Sequence, residues 1–402
     1  MAKSTFKTLQ KRINTERGSP LRGRRGKRLL TNIAIISVFS AITAFVITRQ
    51  SGGSAFSLPR IHGDATPATV TSAPDGTFHP ETASKTGAAD VATDGYKLET
   101  GPLAVTEVPD IVVHDAARNK DLHVRIFYPV TQGKYPVIVF SHGAGGSQNC
   151  CESLTRHWAT YGYVTLQPTH DDSTVQRRKS GDEALRFPQA VREALKNPAL
   201  WESRPQDITS LLNALPDLKK RVGGLSDKLD LDHVGVAGHS MGSYTAEAVG
   251  GALVDLPGHP ATSFSDPRAK AILCLSPQGP SQFGLTAHSF DKITLPFMGI
   301  TGSLDSRGPV ASPAWHKIPF ERSRPDEKYE LFITGANHMS FITADTLLPG
   351  RSSQAAAILG YTNSASLAFW DAYLKDDPAA KQFLQSDAME RSSHGNAKLS
   401  RR

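Results

Sequence analysis

The sequence predicts an α/β fold: a mostly parallel sheet covered by helices on both faces. Three observations predict it. Short apolar runs alternate with helical segments between about residues 105 and 385. One strand-to-helix junction, "VGVAGHSMGSYTAEAVG" (234–250), sets a serine between two glycines. The residues able to do chemistry fall just after strand candidates, where open parallel sheets build their sites.

The chain has 402 residues and a formal charge of +7. Residues 1–28 hold ten Lys or Arg against one acid, Glu16, so the basic character belongs to this arm. The remainder is close to neutral, and no nucleic-acid partner is expected. Residues 29–48, "LLTNIAIISVFSAITAFVIT", are uncharged and mostly apolar. A helix of that length spans roughly 30 Å, enough to cross a hydrocarbon core. Positive charge before the run places the amino terminus in the cytoplasm and the body outside. An uncleaved signal anchor fits better than a cleavable signal peptide, whose apolar region is shorter, although Gly53-Ser54-Ala55 would suit a peptidase and release a secreted form. Residues 49–104, rich in Ser, Thr, Ala, Gly and Pro, read as a flexible linker.

The catalytic body is expected over 105–385. Strands are predicted at Ile111–His114, Leu122–Tyr128, Val137–Phe140, Tyr163–Gln167, Val234–Ala237, Ala271–Leu275, Phe297–Ile300 and Tyr329–Ile333. Helices are predicted at Glu152–Tyr161, Glu183–Leu195, Pro205–Leu215, Ser240–Ala252 and Ser364–Leu374. Residues 171–231 form a long segment that is a candidate cap insertion, and 386–402, lacking an apolar face, is expected to be a disordered tail. Cys150, Cys151 and Cys274 cannot build a disulfide framework. Cys274 reads as a buried strand residue, and the adjacent pair as helix-start residues rather than a vicinal disulfide. No Cys/His spacing matches a zinc site, and neither metal nor organic cofactor is expected.

The glycines around Ser240 have a physical reason. Gly238-His239-Ser240-Met241-Gly242 fits G-x-S-x-G, a sharp turn that lifts a hydroxyl out of the sheet and needs neighbours nearly free of side chains. A serine needs a base near neutral pH, hence histidine, and the base needs an orienting acid. His338 follows the last strand candidate. Asp305 directly follows Phe297–Ile300, whereas its rivals Asp255 and Asp266 do not directly follow strands. Acyl transfer also needs backbone donors for the developing oxyanion. Met241 supplies one; the turn "SHGAGG" (141–146) supplies the other, from Ala144 or its neighbour Gly143. That turn lacks the Lys-Ser/Thr of a phosphate-binding loop. His142 reads as a brace for the turn, His170-Asp171-Asp172 as a polar strand end, and His239 as a packing residue. Arg204 and Asp207, at helical spacing, are expected to pair on an exposed face.

"VFSHGAGG", "GHSMGS", "TGSLD" and "ANHMSF", in that order, resemble the α/β-hydrolase superfamily. The likeness covers about 105–375 and is strongest to the platelet-activating-factor acetylhydrolase and bacterial cutinase-like polyesterase branches. "QPTHDD" (167–172) is similar to the acetylhydrolase branch as well. The resemblance implies a lipase-like esterase with Ser240, Asp305 and His338 as triad and Ala144 and Met241 as oxyanion amides. Many polyesterases carry an aromatic where this chain has Ala144, which leaves the substrate open. The expected partner is a small-molecule or lipid ester, with the membrane engaged through the amino-terminal helix. The same triad could cleave amides or peptides, and a non-catalytic binding protein on the same fold is the alternative from another class. The sequence leaves the oligomeric state open.

Overall fold

The computed structural model describes residues 96–308, 310–342 and 353–402. Basic arm, apolar run and most of the linker therefore lie outside the described residues. Among the described residues no helix is long and apolar enough to cross a membrane.

In chain order the elements are β1 (Val105–Asp115), β2 (Lys120–Pro129), β3 (Tyr135–Ser141), α1 (Glu152–Thr160), β4 (Val164–Pro168), α2 (Thr174–Lys179), α3 (Phe187–Ala194) and α4 (Pro198–Arg221). They continue with β5 (Leu229–His239), α5 (Met241–Val249), β6 (Leu253–Leu256), β7 (His259–Ser263), β8 (Ala269–Leu275), β9 (Phe297–Leu304) and α6 (Pro313–Arg322). The remainder is β10 (Lys328–Asn337), α7 (Ser353–Leu374), α8 (Pro378–Gln385), α9 (Ala388–Ser392) and β11 (Ala397–Arg401). All eight predicted strands are present.

The main sheet has the order β1-β2-β4-β3-β5-β8-β9-β10-β11. The run from β4 to β10 is parallel, and β2, β1 and β11 add antiparallel edges. Alternating side chains send each strand's residues to opposite faces. Thus Val137 and Val139 of β3 join one core with Ile208, Leu211 and Leu215 of α4 and Tyr244 of α5. Ile138 and Phe140 join a second core with Leu154 and Trp158 of α1 and Phe369 and Trp370 of α7. Trp158 and Trp370, both fully buried, meet edge to face at 5.7 Å. Each fully buried side chain of this size contributes roughly 1.5–3 kcal/mol or more.

Helix starts follow local chemistry. Asn197 caps α4 through the Ala199 amide, Ser312 caps α6 through Trp315, and Asp377 caps α8 through Ala379 and Ala380, each followed by proline at the first helical position. The Cys150 and Cys151 sulfurs lie 3.3 Å apart, too far for a bond between them, and Cys151 stands at the start of α1 in a left-handed conformation. Cys274 is buried in β8.

Three expectations are corrected. Residues 386–402 are not a disordered tail: β11 pairs with β10 from Tyr329↔Arg401 to Ile333↔Ala397. Ala397 is fully buried there and Leu399 packs against the same core, so these two apolar side chains and a free sheet edge suffice to order a polar segment. The last residues of the presumed linker are bound as well, since the Tyr96 hydroxyl donates to Asp371 Oδ2 at 2.8 Å and Lys97 Nζ to the same oxygen at 2.7 Å. Arg204 and Asp207 are both buried, and they bond to other partners instead of pairing on a surface.

Register sets the stage for the site. Ser141 pairs with Gly238, His239 with Leu275, and Asn337 with Leu304, so the carboxyl ends of five parallel strands finish along one rim.

Candidate active site

Ser240 stands between β5 and α5 with φ 56° and ψ −118°, a strained conformation for a non-glycine residue. Its amide donates to the Leu275 carbonyl at 2.9 Å, which ties the turn to β8. Positions 238 and 242 tolerate no side chain. A Cβ on Gly238 would run into the Gly242 carbonyl, and one on Gly242 into the Ser141 carbonyl. A Cβ on Gly143 would lie 3.5 Å from Ser240 Cβ, so the turn after β3 flanks the serine directly.

Asp305 and His338 come together. His338 Nδ1 lies 3.0 Å from Asp305 Oδ1, and both residues are buried. The second oxygen of Asp305 accepts from Ser276 Oγ at 2.7 Å and Thr301 Oγ1 at 2.9 Å. A further imidazole, His316, brings Nε2 to 3.2 Å from Asp305 Oδ1, while its Nδ1 donates to the Pro277 carbonyl at 2.6 Å. Burial pushes the Asp305 carboxyl up, but hydrogen bonds and attraction from His316 and His338 outweigh it and hold the group well below the usual carboxylate range. Burial draws the His338 pKa down; the Asp305 hydrogen bond opposes this, the Arg307 charge adds to it, and the net direction is down.

Nε2 of His338, the nitrogen turned from Asp305, is buried without a hydrogen-bond partner. The bond from Ser240 to it is not made in this structure. His239 links the two segments, its Nε2 donating to the His338 carbonyl at 2.9 Å with the two rings 4.8 Å apart. Burial lowers the His239 pKa to about 3, so it is a neutral strut, in keeping with a packing role.

Behind the 141–146 turn lies a buried polar cluster. His142 donates from Nδ1 to the Gly143 carbonyl at 2.7 Å, and its Nε2 accepts from the His170 amide at 3.0 Å, so both nitrogens are used by a neutral ring. His170 donates from Nδ1 to Asp207 at 2.8 Å and accepts on Nε2 from Ser141 Oγ at 2.8 Å. Asp207 is shared with Lys120 and Arg118. Arg204 is paired with Asp172, both 1% exposed. His142 thus braces the turn as expected, and the polar strand end after β4 contributes His170 and Asp172 to a buried network.

Sequence reasoning missed Ser276, Thr301, His316 and the Arg204–Asp172 pair. Ser276 directly follows β8, and Thr301 lies on the strand leading to Asp305, a usable signal. His316 lies within α6, a helix no periodicity revealed. For metal binding, the donor atoms of Asp305, His316 and His338 lie within 4.8 Å of one another, close enough to hold a divalent ion. An ion there would displace the Asp305–His338 bond.

A family model described as Chlorophyllase matches residues 94–259, which include Ala144, Ser240 and Met241 but stop before Asp305 and His338. A protein of Schizosaccharomyces pombe named "Putative phospholipase A2" is 45% identical over 50 residues, 12% of this chain and 11% of that protein's length.

Proposed function

We propose that this member of the α/β-hydrolase superfamily is a serine hydrolase that cleaves carboxylic esters through a covalent acyl-enzyme. The matching family and the phospholipase-named relative support ester hydrolysis at that coarse level. One observation carries the mechanism. A buried imidazole is fixed by a buried carboxylate at 3.0 Å, with its other nitrogen unpaired, on the rim that holds a strained serine.

Ser240 Oγ attacks the ester carbonyl carbon as His338 Nε2 takes its proton, and Asp305 stabilises the resulting imidazolium. The carbonyl oxygen becomes an oxyanion facing the amides of Ala144 and Met241. Collapse expels the alcohol, protonated by His338, and leaves an acyl group on Ser240. Water, deprotonated by His338, then releases the acid. The fall in His338 pKa suits this role, because it keeps the ring unprotonated near neutral pH.

A lipid ester is the substrate class this reading favours, and residues 29–48 would hold the domain at the outer face of a membrane. The test is Ser240→Ala with a short p-nitrophenyl ester: turnover should fall by at least about 10⁴-fold with the melting temperature preserved. A fully active variant overturns the proposal.

A further inference from the structure

We propose that Arg204, held by Asp172, is a positioning residue that aims the Ala144 amide at the oxyanion. This rests on the acyl-transfer reading above. The candidate cap segment thereby contributes to the site from behind, through α4.

The Arg204 guanidinium is a planar fork that matches several acceptors at once. Arg204 Nε and Nη2 donate to the two oxygens of Asp172 at 3.0 and 2.8 Å. Nη1 donates to the His142 carbonyl at 2.7 Å, and Nη2 also reaches the Gly143 carbonyl at 3.3 Å. Asp172 Oδ2 in turn accepts from the Gly145 amide at 2.7 Å. One buried ion pair therefore grips the turn on both sides of Ala144.

Planarity converts that grip into direction. In a trans peptide the carbonyl and the next N–H point opposite ways. The carbonyl of the Gly143–Ala144 unit is occupied by Arg204, by His142 Nδ1 at 2.7 Å and by the Gly146 amide at 3.0 Å. Its N–H, on Ala144, must then face away from this cluster. The Gly145 N–H is held by Asp172 and the Gly145 carbonyl by the Thr174 amide at 3.1 Å, so the two peptide units that follow are tied down as well. The charge of Arg204 is balanced by Asp172, so its main effect is geometric. A donor held without reorganisation is what oxyanion stabilisation requires.

The experiment compares wild type, Arg204→Lys and Arg204→Met on a p-nitrophenyl ester and its thionoester, with melting temperature as the fold check. A misdirected donor should lower kcat on the ester roughly 10–100-fold with KM changed little, Arg204→Lys being the milder. The thionoester, whose larger sulfur anion uses the hole poorly, should lose much less, so the ester-to-thionoester ratio should shrink in both variants. A folded Arg204→Met enzyme with unchanged kcat, or with equal losses on both substrates, overturns the inference. Should neither variant fold, a crystal structure of the wild-type protein with a trifluoromethyl ketone on Ser240 decides it. The adduct oxygen is expected within hydrogen-bond distance of the Ala144 amide while the Gly143 carbonyl stays on Arg204; an oxygen elsewhere, or a turned carbonyl, overturns the inference. An active Ser240→Ala enzyme would instead remove the underlying acyl-transfer reading.

Discussion

His316 and His338 converge on one oxygen, Asp305 Oδ1, at 3.2 and 3.0 Å. The other nitrogen of His316 faces the Pro277 carbonyl at 2.6 Å, which anchors the ring beside Asp305. His338 is thus surrounded by an anion, Asp305, a neutral ring, His239, and two groups that oppose its protonation, Arg307 and His316. The arrangement holds the His338 imidazole in position and restrains its basicity together.

Removing His316 should therefore make His338 easier to protonate. In His316→Gln, the acidic limb of the kcat/KM profile is expected to move to higher pH. Activity at pH 6 should fall several-fold relative to pH 8, compared with wild type. A superimposable pH profile would refute this.

Acid should destabilise the fold well before carboxylates titrate. Burial lowers His142 and His157 to about 4 and His239 to about 3. In the unfolded chain each takes a proton near 6.5. Between about pH 6.5 and 4 the unfolded state binds more protons, so stability is full above that window and falls as pH drops through it. The unfolding free energy from urea titration should decrease clearly from pH 7 to pH 5, by roughly 1.4 kcal/mol per group per pH unit at most; equal values would count against buried neutral rings.

Glu247 on α5 has the opposite sign. One oxygen accepts from the Gln278 amide at 2.9 Å, the other is unpartnered, and burial pushes the group up to about 8. The native state then holds the extra proton between about pH 4.5 and 8, and stability falls as pH rises across that range. Glu247→Gln should gain about 1–3 kcal/mol at pH 8, a few degrees of melting temperature, and little at pH 5. A gain independent of pH would show that Glu247 is not the titrating group.

Gly242→Ala is expected to cost more than about 4 kcal/mol, because the new methyl group meets the Ser141 carbonyl in a turn crossed by two backbones. Far-ultraviolet dichroism with a urea titration measures it, and near-normal stability would contradict the packing described.

Much of this arrangement could be read from residue order because its signals are local. The eight apolar runs are strands, seven of them at interior positions of the sheet and β1 at an edge, and G-x-S-x-G marks the bend at Ser240 because only glycines fit at 238 and 242. Two peripheral elements were opaque. β11 is a polar segment ordered by pairing with β10, and the β6–β7 hairpin carries too little burial to show a pattern. Arg204 misled for a related reason: helical spacing from Asp207 suggested a surface pair, whereas each charge has a buried partner contributed by a distant segment. Partnerships between residues 32 apart, such as Asp172 and Arg204, leave no trace in spacing.

The β6–β7 hairpin divides the chemistry into two lengths of polypeptide. Ala144, Ser240 and Met241 precede it; Asp305 and His338 follow. Its tip, around Gly258, is exposed and has open space beside it. A protease cut there would leave two pieces held by the parallel pairing of β5 with β8 and by the shared cores. Such a clipped molecule would be a split enzyme: its recovery from denaturant would become a bimolecular event, rising with concentration, where the intact chain refolds independently of it.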